Sequence, residues 1–125
     1  MSSAHMDLDG AMETVEEVYE FMLAYAAQGR RTEEDRSTAG IRACLQRAES
    51  ALSVIAAASI EGDAAQKFFD VVRGDAAKAG AALRLVLAQP TISSQLIDNL
   101  NASIHLRALL TDLFLLDEAL KISGA

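Results

Sequence analysis

Between Leu106 and Leu120 eight of fifteen residues are leucine or phenylalanine. A helix that is apolar around most of its circumference is stable in water only when other helices cover it. The wider segment Ile92 to Ile122 therefore predicts the central post of a helical bundle. At about 100° per residue, Ile92, Leu96, Ile97, Leu100 and Ile104 gather on one side of that post, and Leu106, Leu109, Leu113, Leu116 and Leu120 gather roughly opposite. Supercoiling drifts by only about 20° per heptad, far too little for this change of face between Asn99 and Ser103. Two outcomes satisfy the pattern. Either the lower half also meets a second copy of the chain, or the helix kinks near Asn101.

The rest of the composition agrees with an all-α chain. With 125 residues there is enough length for one domain that buries roughly two-thirds of its unfolded surface. Tryptophan is absent, alanine occurs 24 times and proline once, which suits closely packed helices better than sheet. A net charge of −7 lacks the clustered cations that nucleic acid and anionic membranes require, so neither is an expected partner. A single cysteine, Cys44, excludes an intramolecular disulfide, and a reducing cytoplasmic setting is the expectation. Residues 1–6, MSSAHM, read as a cloning remnant, which leaves 7–125 as a single helical domain and His105 as its only native histidine.

Apolar residues at spacings of three and four mark the first helix, from Leu8 to Gln28, with Asp7 or Asp9 as cap and Gly29 as terminator. The stretch Arg30 to Thr38 is six-ninths charged and reads as a connection or an exposed first turn, with Thr32 and Asp35 in capping-box spacing for a second helix, Glu33 to Ile60. A third helix runs from Ala64 to Ala88. Its apolar stripe crosses Gly74 without a break, and Ala76 to Ala82 offers a neighbour close approach. Gln89-Pro90 ends it, and Thr91 caps the last helix, Ile92 to Ile122. Short connections make neighbours antiparallel, so the expected architecture is an up-down-up-down four-helix bundle.

Chemistry-bearing constellations are sparse. Glu13, Glu16, Glu17 and Glu20 form an acidic face on the first helix, read as a solvated surface or as a docking surface for arginines, whether a partner's or Arg30, Arg31 and Arg36. As half of a di-metal site they would need Glu-x-x-His companions that the chain lacks. Cys44 reads as a buried apolar residue, because only arginines accompany it in sequence. His105 shares a face with Asn101 and Asp112. His105 to Leu109 resembles the His-x-x-Lys-Gly of small phosphotransfer bundles at the histidine alone, with Ala108 and Leu109 in the lysine and glycine places. No catalytic, cofactor or metal site is expected. The expectation is a non-enzymatic protein–protein interaction module, an adaptor, chaperone or regulatory subunit, forming a homodimer with Phe114 or Leu115 at its interface. Behind it stand a bundle that holds a small apolar ligand and, further back, signalling through His105.

Overall fold

The structure, a computed structural model, describes residues 7–122, and the leader read as a cloning remnant lies outside them. Five helices follow one another: α1 (Leu8–Ala26), α2 (Ile41–Ala57), α3 (Asp63–Leu87), α4 (Ser94–Asn101) and α5 (Ile104–Ile122). There is no strand among the described residues. Helix α1 packs on α2, α2 on α3, α3 on α5, and α4 on α1. No described helix is long and apolar enough to cross a membrane.

The expected fourth helix is two helices, and the break settles how the change of face is accommodated. Helix α4 stops at Asn101, the Ala102 N–H turns back to Asp98 and Leu100, and Ser103 takes the position of a helix cap, its carbonyl accepting from the Arg107 N–H at 3.1 Å. Each half then packs against a different neighbour, but Ile104, read with the first stripe, opens α5 and is exposed. Ile97 and Leu100 point into the layer shared with α1, and Leu106, Leu109, Leu113 and Leu116 are buried in α5, which packs on α3. Leu110 is also buried. At the break the Asn101 amide is enclosed with neither Nδ2 nor Oδ1 hydrogen-bonded.

The second helix begins later than expected. Gly40, not Thr32, precedes its first turn, and the Thr32–Asp35 capping box does not form. Instead Asp35 accepts from the Ser37 N–H at 2.8 Å, the Gly40 N–H bonds the Ser37 carbonyl, and the chain doubles back so tightly that a Cβ on Gly40 would lie 2.0 Å from the Asp35 carbonyl oxygen. Only glycine fits there. Elsewhere the local signals act as written in the sequence. Asp7 caps α1 by accepting from the Gly10 N–H at 2.7 Å, Gly29 adopts φ +67° beyond its end, and α3 runs unbroken through Gly74. Ser93, not Thr91, caps α4.

Candidate functional site

Two features stand out from an otherwise ordinary helical core. The first is a polar knot where the loop before α2 meets the loop after α3. Glu33 is buried, and its carboxylate receives Arg42 Nη2 at 2.7 Å, Arg42 Nε at 3.1 Å and the Ile92 N–H at 3.0 Å. The same guanidinium donates to the carbonyls of Leu87 and Gln89, and Arg36 donates to that of Pro90. Tyr25 on α1 donates its hydroxyl to the Ile92 carbonyl at 2.6 Å, and Ser94 donates to the Tyr25 carbonyl. Burial, and then the negative charge of Glu33, hold the Tyr25 hydroxyl above its usual range. Donors from the chain itself occupy the Glu33 carboxylate, so the knot binds the two loops together.

The second feature is the outer face of the α3–α5 layer. Leu83 and Leu106 border the same void, and Asp75 lies beside Asp112. Moving back along α3 thus matches moving forward along α5, and the two helices run past each other in opposite directions. Val71, Lys78 and Leu85 recur every seven residues on α3, a near-constant angular position. On α5, Leu115 lies within about 20° of Ile104, with Ala108 about 40° from it. Ile104 is 73% exposed, Leu85 67%, Leu115 57% and Val71 51%. These four account for most of the large exposed apolar surface among the described residues. Gly74, Ala81, Ala108 and Ala119 flatten the ground between them.

Asp75 and Asp112 meet at the seam of this face. Burial, followed by the hydrogen bond and the negative charge of Asp75, pushes the Asp112 carboxyl up to about 7. Its Oδ2 is enclosed and accepts no hydrogen bond from a donor. Two carboxylates in contact cannot both ionise cheaply, so the contact favours the protonated form of Asp112.

The residues singled out in the sequence lie apart from one another. Glu13, Glu17 and Glu20 are exposed on α1, and Glu16 is half-buried beside Asp117 of α5, with its carboxyl raised by burial first and by the surrounding carboxylates next. Arg30 and Arg36 bind Glu34 and Glu33 rather than this acidic face. Phe114 is 55% exposed but sits about 100° from Leu115, turned toward the α1 side of α5. His105 is exposed, and the break after Asn101 removes that residue from its face while Asp112 remains two turns along. Cys44 is 1% exposed, and burial pushes its thiol up, away from thiolate. Among the described residues no group of three or more His, Cys, Asp or Glu is placed to hold a metal.

Sequence reading missed the exposed stripe of α3 because Val71 and Leu85 flank a strongly apolar buried stripe and look like its extensions. Their spacing of fourteen, centred on Lys78, was the available signal. No family model, curated protein or solved structure matches this chain.

Proposed function

We propose that the protein is a non-enzymatic protein–protein interaction module of the adaptor, chaperone or regulatory-subunit kind, working in the cytoplasm through helix surfaces and pairing with itself as a homodimer. Its architecture on this reading is an antiparallel bundle whose fourth position is shared by α4 and α5. One observation carries the reading: α5 buries Leu106, Leu109, Leu113 and Leu116 within its own chain and still presents Ile104 and Leu115 to water on the opposite side. Large apolar side chains exposed on one face mark a surface for a partner, and a two-fold copy is the commonest cover in soluble proteins.

The competing reading, a small apolar ligand between the helices, asks for interior space. The apolar void bounded by Val15, Met22, Leu52 and Leu106 is about 10 Å³, close to the room of one water. That favours surface recognition over an internal ligand. Sedimentation equilibrium over a wide concentration range tests the self-pairing. A mass above the 13.3 kDa of one chain at tens of micromolar supports it, and a mass that stays at one chain overturns it. For further partners, affinity capture with the wild type is compared with capture by Ile104→Glu. A partner lost in the variant supports the surface, and an identical set of partners in both overturns it.

A further inference from the structure

Pairing with a second copy, as read above, leaves open which surface does it, and charge narrows the choice. Two chains of net −7 repel wherever the excess acid faces across. On α1 the outward residues Glu13, Glu17 and Glu20 make that side self-repelling. The outer face of α3 and α5 is different. Its charged groups are Lys78 and the Asp75–Asp112 pair, with His105 and Arg107 at its edges and Lys67 and Glu118 toward the ends. Against the carboxyls of Asp75, Asp112 and Glu118 stand the cations Lys67, Lys78 and Arg107. The centre of the face is therefore close to neutral in a strongly acidic molecule.

Its layout is also self-complementary. Because α3 and α5 are antiparallel, Val71 and Leu115 share one end of the face and Leu85 and Ile104 share the other. With a rise of about 1.5 Å per residue, the fourteen residues from Val71 to Leu85 span about 21 Å, and the eleven from Ile104 to Leu115 about 16 Å. The midpoints, near Lys78 and Leu109, fall level with each other, since Asp75 and Asp112 lie about three residues from them on the same side. A two-fold axis lying in the plane of the face and crossing both helices at those midpoints sets Val71 over the other copy's Leu85 and Leu115 over the other copy's Ile104. The small residues between the ends allow the helices to come close. It also sets the two Lys78 side chains near the axis, between the Asp75–Asp112 pairs of the two copies.

We infer that a second copy of this chain docks on the outer face of α3 and α5, about a two-fold axis between Lys78 and Ala108, with Val71 and Leu115 of one copy packing on Leu85 and Ile104 of the other. This rests on the self-pairing reading and assigns its surface. Phe114, on the α1 side of α5, lies outside the interface. A partner of strongly basic character is disfavoured on this face, because its centre is nearly neutral and already contains a lysine.

Two measurements on the full chain decide it. In sedimentation equilibrium the wild type and Phe114→Glu are dimers at tens of micromolar, while Leu85→Glu and Leu115→Glu are monomers that keep the wild-type helical circular dichroism. In the second, Ala108→Cys near the axis is oxidised with copper phenanthroline and forms a disulfide-linked species of twice 13.3 kDa. Native Cys44 is buried and gives no background link, and Glu17→Cys on α1 serves as the negative control. If the wild type dimerises but Phe114→Glu dissociates it and Leu115→Glu does not, or if Glu17→Cys links while Ala108→Cys stays single, the surface assignment is overturned and self-pairing survives. A wild type monomeric throughout overturns the pairing itself.

Discussion

The Glu33 carboxylate and the Arg42 guanidinium meet side by side through hydrogen bonds of 2.7 and 3.1 Å, with the Glu33 side chain 1% exposed. An ion pair this buried contributes little net stability as a whole, because desolvation offsets the attraction, but removing one partner strands the other. Glu33→Ala leaves the guanidinium without its carboxylate and the Ile92 N–H without an acceptor. The expected loss is about 3 to 5 kcal/mol, read from urea denaturation. The double variant Glu33→Ala/Arg42→Ala loses less than the sum of the singles, and strict additivity would show that the two side chains act independently.

Gly74 lies in the interior of α3 with open space where a Cβ would stand. Glycine costs a helix interior up to about 1 kcal/mol relative to alanine. Gly74→Ala should therefore stabilise the monomer by about 0.5 to 1 kcal/mol, seen as a higher urea midpoint with an unchanged slope. Gly40→Ala is the opposite case, since its methyl group collides with the Asp35 carbonyl, and a neutral result there would contradict the tight turn before α2.

On α5, Leu113 and Leu115 are two positions apart and should respond differently. Leu113 is fully buried, so Leu113→Ala creates a cavity worth about 2 to 5 kcal/mol. Leu115→Ala, measured below the concentration at which copies pair, should change stability by no more than about 0.5 kcal/mol. Equal losses at both positions would mean that α5 is rotated from the orientation described.

Asp112 gives a pH signature. Its folded-state carboxyl titrates near 7, well above the ordinary value of about 3.9 expected in the unfolded chain. Between those values the folded state holds more protons than the unfolded state, so stability falls as pH rises through the window and levels off above about 7. Asp112→Asn removes this contribution. Its stability relative to wild type should grow from pH 4 to pH 7 in thermal melts. A relative stability that shrinks over that range would show that the ionised carboxylate is the favoured form.

Much of the fold was legible because helix periodicity is local. The caps at Asp7 and Gly29, the continuity of α3 and the buried stripe of α5 all follow from residues within a few turns of each other. The change of face after Asn99 was legible as well, although the pattern alone did not say whether the helix broke or stayed whole. What escaped was non-local. Nothing near Glu33 in sequence announces that a charged loop residue will be buried, because its partners are Arg42 on α2 and the Ile92 amide 59 residues away. Thr32 and Asp35 had the right spacing for a cap, but the tight approach of Gly40 to Asp35 moved the helix start to Ile41. The same limit applied to the candidate surface. Leu115 was visible from its own helix, whereas Val71, Leu85 and Asp75 join it only once α3 and α5 lie side by side.

The polar knot also has a consequence for the order of folding. Apart from the Glu33–Arg42 pair, its hydrogen bonds join residues 45 to 69 apart in sequence, from Arg42 to Leu87 and from Tyr25 to Ser94. Closing loops of that length before other contacts exist carries an entropic penalty that helix pairs joined by short turns avoid. The knot should accordingly form after the rate-limiting step, as a latch on helices already in place. Weakening it then leaves the refolding rate nearly unchanged and accelerates unfolding. The lifetime of the folded chain, more than its speed of assembly, is thus in the keeping of Glu33 and Tyr25.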